Sequence, residues 1–261
     1  MALRVKKSGA WQGVASADVG VKVGGTWRTA VKAGVRINGS WRQFYVGSDP
    51  VTYTFDASAS RSARGISWAT SSNPAGEYYP RQGRYSTNYP WFGLVQFTNT
   101  SGSNTGGGNK TLSDALAIRP VVKSATLRLT RWSSSHGLYY ASGDIYIAKY
   151  NDSITASSPS HNYLDFSDYA YLNYPGYPGP SDTDYIELGE TTYIDLNSNN
   201  HVSDLVNHAK TKPLSITNTT NNTNTGDGLG RYTSSQDTDY IIYNSAGIAY
   251  APLLSVTLDY T

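Results

Sequence analysis

At 261 residues the chain can hold one good-sized domain and an appendage, and with no cysteine neither disulfides nor thiolate metal sites can support it. Its net charge of +2 is unevenly spread: residues 1–50 carry eight Lys or Arg against Asp18 and Asp49, a net of +6, and the remainder carries 13 basic and 17 acidic residues, a net of −4. A basic arm on an acidic body raises the question of nucleic acid, but the cations are spaced by a repeat rather than clustered and no nucleic-acid motif accompanies them, so nucleic acid is not an expected partner.

The repeat comes first in the chain. Lys6-Lys7-Ser8-Gly9-Ala10-Trp11, Lys22-Val23-Gly24-Gly25-Thr26-Trp27 and Arg36-Ile37-Asn38-Gly39-Ser40-Trp41 are three copies of one phrase. Gly-Gly and Asn-Gly supply the positive φ that tight turns need, and β-branched residues flank them, so each copy reads as a β-hairpin. A two-residue turn pairs Lys22 with Trp27 and Arg36 with Trp41, setting each cation beside an indole. A three-residue loop pairs Val23 with Trp27 and Ile37 with Trp41. The odd-numbered positions Val19, Val21, Val23, Trp27, Val31, Val35, Ile37 and Trp41 make one apolar face, which favours the longer loop. Units this short bury no core of their own, so they must lie on a partner, on one another or on the rest of the chain. Trp11, Trp27, Trp41, Lys22 and Arg36 are therefore the expected attachment residues. The first 30 residues lack an apolar run, so neither a secretory signal nor membrane insertion is expected.

From residue 51 the chain reads as all-β. Strands are expected at Val51–Phe55, Trp91–Phe97, Val122–Trp132, Asp144–Tyr150, Tyr193–Leu196, Pro213–Thr217, Tyr240–Tyr243 and Leu253–Tyr260, with Gly, Pro, Asn and Ser between them, as in a β-sandwich. In the last strand Leu254, Val256 and Leu258 face one way, and Ser255, Thr257 and Asp259 the other. Residues His201–Lys210 read as a short helix capped by Ser203. Gly102–Gly108 and Thr217–Gly228 read as loops.

Two tyrosine-rich stretches stand out among the 22 tyrosines. One contains Tyr78, Tyr79, Tyr85, Tyr89 and Trp91; the other contains Tyr169, Tyr171, Tyr174 and Tyr177 amid prolines. Exposed aromatic rings offer flat faces to sugars or protein partners at little entropic cost, so these nine are the expected glycan- or partner-binding residues. Asp182, Asp184, Glu187 and Glu190, with Asp237 and Asp239, carry oxygen ligands for a structural Ca²⁺, but no spacing matches an EF-hand loop, and no cofactor is expected. His136, His161, His201 and His208 form no helical zinc motif and there is no Gly-x-Ser-x-Gly elbow, so no catalytic residues are expected.

Leu94-Val95-Gln96-Phe97, Val122 to Leu129, the short helix and Pro252 to Tyr260 together resemble jelly-roll domains of the carbohydrate-binding-module type, most nearly the DNRLRE-like group. The arginines usual in the early strand of that group are absent here, with Val95 and Gln96 in that region. The N-terminal phrase, with Val-Lys-Val-Gly-Gly-Thr-Trp-Arg at its centre, resembles elements of minor tail and tail-tip proteins of tailed bacteriophages. Together these resemblances imply a hairpin arm at 1–50 and a jelly-roll sandwich at 51–261, in a structural protein of a virion tail assembled in the host cytoplasm. They imply other tail proteins and host-surface polysaccharide as partners, and a homotrimer. The alternatives are an architectural subunit whose sandwich docks neighbouring tail proteins, and a tail-associated glycan hydrolase.

Overall fold

A computed structural model describes, before residue 50, the backbone of the strands within residues 4–46. Beyond that it describes residues 50–64, 67–68, 77–86, 89–98, 101–104, 109–117, 119–133, 145–172, 189–217 and 240–259. Three hairpins open the chain: β1 (Arg4–Lys7) with β2 (Ala10–Gly13), β3 (Gly20–Val23) with β4 (Thr26–Thr29), and β5 (Lys32–Ile37) with β6 (Ser40–Val46). All three share one register. Lys6 lies opposite Trp11, Lys22 opposite Trp27 and Arg36 opposite Trp41. The closing pairs Lys7 with Ala10, Val23 with Thr26 and Ile37 with Ser40 each leave two residues for the turn.

This corrects the longer loop favoured above. A two-residue turn pairs an even position with an odd one, so an apolar set of odd positions cannot form one face across both strands. The twist of a two-residue turn matches that of the strands it joins, and this outweighs the apolar tally.

The remaining strands form two antiparallel sheets, a β-sandwich. The six-stranded sheet contains β7 (Val51–Asp56), β12 (Ser101–Asn104), β13 (Asn109–Thr111), β14 (Val121–Thr130), β17 (Thr191–Asp195) and β20 (Leu253–Asp259), in the order β13-β12-β7-β20-β14-β17. The eight-stranded sheet contains β8 (Ala59–Arg64), β9 (Ser67–Trp68), β10 (Arg81–Ser86), β11 (Tyr89–Gln96), β15 (Ile145–Tyr150), β16 (Leu164–Leu172), β18 (Leu214–Thr217) and β19 (Tyr240–Ile242). Its order is β16-β15-β18-β11-β10-β19, with β8 on β11 and β9 on β8.

Inward residues of both sheets make the main core. Phe55, Val95, Phe97, Leu127, Leu129, Ile145, Ile147, Ile216, Leu254, Val256 and Leu258 all belong to it and are fully buried. The last strand alternates as its sequence requires, with Leu254, Val256 and Leu258 inside and Thr257 outside, where its hydroxyl meets that of Thr52 at 2.8 Å. Helix α2 (Val202–Ala209) packs Leu205, Val206 and Ala209 into the same core. Its N-cap is His201, which makes no side-chain capping bond, and not Ser203, which lies inside the first turn. His201 Nδ1 instead lies 3.0 Å from Asp168 Oδ1, so a contact between elements ties this helix end.

A second helix, α1 (Leu112–Leu116), was not foreseen, although Thr111 carries its signal: the hydroxyl accepts from the Asp114 N–H at 3.1 Å and donates to its carboxylate at 2.7 Å. Gly102, expected in a loop, sits in β12. A Cβ there would stand 2.4 Å from the Phe55 ring, so glycine lets the ring lie against the strand. Ser103 and Asn104 of that expected loop also belong to β12, and residues 105–108, with 218–228 of the other loop, lie outside the described residues.

Candidate functional site

Strand β11 is buried on both faces. Val95 points into the main core, whereas Phe92 and Leu94 join Ala63, Tyr150, Ile154 and Leu164 in a smaller core on the opposite face. The segment after β15 covers this face and is held there by Arg61 of β8. The Arg61 guanidinium donates to the Ile154 carbonyl at 3.2 Å and to Glu77 Oε2 at 3.3 Å, and lies 3.8 Å from the centre of the Trp68 ring. Trp68 Nε1 in turn donates to the Ala156 carbonyl at 3.0 Å.

A second segment, 77–79, is strapped to the same strand. Ser60 Oγ donates to the Tyr78 carbonyl and Ser62 Oγ to the Tyr79 carbonyl, each at 2.5 Å, and the Ser62 N–H donates to the Glu77 carbonyl at 2.8 Å. Ser60 Oγ also accepts from the Ala246 N–H at 2.8 Å. Gly93 admits this arrangement, because a Cβ there would meet Pro80 Cβ at 2.7 Å and the Arg81 nitrogen at 2.9 Å. Between the two covering segments runs a cleft of about 460 Å³, lined by Ser58 to Arg61, Tyr78, Ile154, Thr155 and Ala246. That volume is on the scale of small-ligand sites.

A second aromatic surface lies at edge strand β16. Tyr146 packs on Tyr169 with ring centres 5.7 Å apart and on Tyr171 at 6.1 Å, and Tyr169 neighbours His201 at 6.4 Å. Beside them Lys149 binds the carboxylates of Asp165 (3.5 Å) and Asp168, and His201 Nδ1 lies 3.0 Å from the other Asp168 oxygen. Asp168, His201 and Asp204 present ligand atoms within 4.8 Å of one another, a geometry open to a cation. The Lys149 ammonium already balances Asp168 there.

Burial raises the Asp165 pKa, but hydrogen bonds from the Ser167 side chain and N–H, with Asn151 and the Lys149 ammonium, more than offset it and hold the carboxyl at about 2. A depressed carboxylate stabilises the fold above its ordinary pKa, and this contribution is lost as the pH falls from 3.8 towards 2. Asp165→Asn is therefore expected to flatten the acid limb of the stability curve in that window. Urea midpoints at a series of acidic pH values check this; an unchanged slope contradicts it.

The structure distributes the aromatic residues singled out in sequence. Tyr78 is 62% exposed and lines the cleft. Tyr79 is half-buried against Trp132, ring centres 5.3 Å apart. Trp91 is a correction: it is 1% exposed in the interior, with the Arg81 guanidinium 4.9 Å from its ring centre, and so offers no face to a ligand. Tyr85 and Tyr89 fall on β10 and β11, but their side chains are outside the described residues, as are Tyr174 and Tyr177 altogether. Of the acidic residues considered for calcium, Glu190 is exposed and the others lie outside the described residues.

The sequence reading missed Arg61, Trp68, Glu77, Thr155 and Tyr146, none of which belongs to a recognisable motif. His208 is structural: its Nε2 accepts from the Tyr150 N–H at 3.2 Å, and burial lowers its pKa. No known family model matches the chain, and no curated protein matches its sequence. Among the described residues no helix is long and apolar enough to cross a membrane.

Proposed function

We propose that the chain is a structural attachment protein of a tailed-phage virion, anchored through its hairpin arm and presenting the sandwich for adhesion to host-surface glycan. The observation that carries the reading is the common register of the three hairpins. In a two-residue hairpin the closing pair is hydrogen-bonded, so the next pair is the closer, non-hydrogen-bonded kind. In every copy that pair is a cation opposite tryptophan.

The following pair on the same face contains a glycine each time: Arg4 with Gly13, Gly20 with Thr29, and Gly34 with Gln43. Each hairpin is a separate two-stranded sheet, and a lone two-stranded hairpin is marginal in water. Three marginal units with one design support multivalent docking on other tail proteins, where weak contacts combine.

The two-sheet sandwich agrees with the jelly-roll resemblance, and the exposed Tyr78 and Tyr171 support a contact role for it. The neighbouring carboxylates Asp165 and Asp168 do not make a glycosidase acid–base pair. Lys149 holds Asp168 below the usual range, and Asp165 is also low, whereas a glycosidase acid needs a raised pKa.

The test is adsorption of the purified full chain to host cells, with competition by extracted surface polysaccharide. Saturable adsorption that the polysaccharide competes away is expected; none at high protein concentration removes the adhesion role. The tyrosine patch beside edge strand β16 favours a second reading, in which the sandwich packs on neighbouring subunits. A trimer by light scattering fits either reading; a monomer for the full chain contradicts the proposed homotrimer.

A further inference from the structure

The cleft above β8 has a construction that folding alone does not require. Tyr78 sits on a segment fixed by two buried serines, through its own carbonyl and the next one, yet its ring is left 62% exposed. A ring carried on a fixed backbone loses little freedom when something packs against it. Around it Ala59, Ile154 and Ala246 contribute hydrocarbon, and Ser58 and Thr155 contribute hydroxyls. Next to Tyr78 in the chain, the Glu77 carboxylate accepts from Arg61 at 3.3 Å.

Charge decides what such a cleft admits. Arg61 is its cationic lining residue, and that guanidinium is committed to Glu77, the Ile154 carbonyl and the Trp68 face. The Arg61–Glu77 pair is neutral, so an anionic ligand would approach a carboxylate with the nearby cation already engaged, and a cationic ligand would meet Arg61. A neutral ring with one apolar face and a rim of hydroxyls meets neither penalty.

The geometry points to a binding site for one uncharged saccharide unit, its apolar face against Tyr78 and its hydroxyls towards Ser58 and Thr155. This rests on the adhesion reading and adds to it a place and a preference for neutral hexoses over uronic or sialic acids. The tyrosine patch at β16 is a separate surface and is not part of this site.

The test is calorimetric titration of the full chain with a panel of neutral oligosaccharides and their uronic-acid counterparts. It is repeated with Tyr78→Ala, Tyr78→Phe and the double variant Tyr169→Ala/Tyr171→Ala, each first shown to melt like the parent. Neutral saccharides are expected to bind and acidic ones to bind more weakly. Tyr78→Ala should lower affinity at least about tenfold, as for an anchoring aromatic. Tyr78→Phe should retain most of it, and the β16 double variant should leave it unchanged. Neutral-sugar binding that survives Tyr78→Ala, or a preference for acidic sugars, overturns this site while leaving adhesion intact. Binding of no saccharide at all overturns the adhesion reading and the site together.

Discussion

Replacing Trp11, Trp27 and Trp41 together by alanine is expected to abolish incorporation of the chain into particles while leaving the melting of the sandwich unchanged. Each tryptophan occupies the same register position, opposite a cation and next to a glycine-containing pair. A buried interfacial aromatic typically costs about 2 kcal/mol or more on truncation, roughly thirtyfold in affinity. Single variants should therefore weaken attachment by about that factor. Linked sites that dock together reinforce one another, so the triple loss should exceed any single one by far. Quantitative immunoblotting of purified particles, with calorimetry of the isolated chain, reads both parts. Normal incorporation of the triple variant would remove the anchoring role from the tryptophans.

The second large effect lies in the core. Phe55 is fully buried, its ring lies against Gly102 of the neighbouring strand, and it stacks on Tyr53 with ring centres 6.1 Å apart. Phe55→Ala is expected to cost about 3–5 kcal/mol, from lost burial and the cavity left behind. Gly102→Ala inserts a Cβ into the same space and should cost about 1–3 kcal/mol by overpacking. The two are in contact, so their effects should not add. In the Phe55→Ala background the extra methyl meets a cavity, and the double variant should be more stable than the sum of the singles by about 1 kcal/mol or more. Denaturant unfolding of all four species measures the coupling. Additivity would show that the glycine is not there for the ring.

The strands most legible in sequence were those with strict alternation, such as β20 and β14, because one face meets the core and the other does not. Strand β8 was missed for a physical reason. Its buried residues Ser60, Ser62 and Ala63 are small or polar, and the serines hydrogen-bond across to the 77–79 segment rather than fill space. No hydrophobic period marks such a strand. In β16 the alternation is broken by the irregular register opposite Ala148 and Lys149.

The cleft was legible only as a tyrosine. It assembles residues near positions 60, 78, 154 and 246, each unremarkable among its neighbours, and Arg61 acquires its meaning only through Glu77, Ile154 and Trp68. Trp91 misled in the opposite sense. It shares a tyrosine-rich stretch with Tyr78, but β11 is buried on both faces and takes it inside.

On the proposed function the arm binds the particle and the sandwich faces outward. Cross-linking of intact particles followed by mass spectrometry tests it most directly. Links are expected from lysines of the arm, Lys6, Lys22 and Lys32, to other virion proteins, with Lys123 and Lys212 of the sandwich labelled by a soluble reagent but unlinked. The reverse pattern, with the sandwich linked to the particle and the arm lysines free, would contradict it.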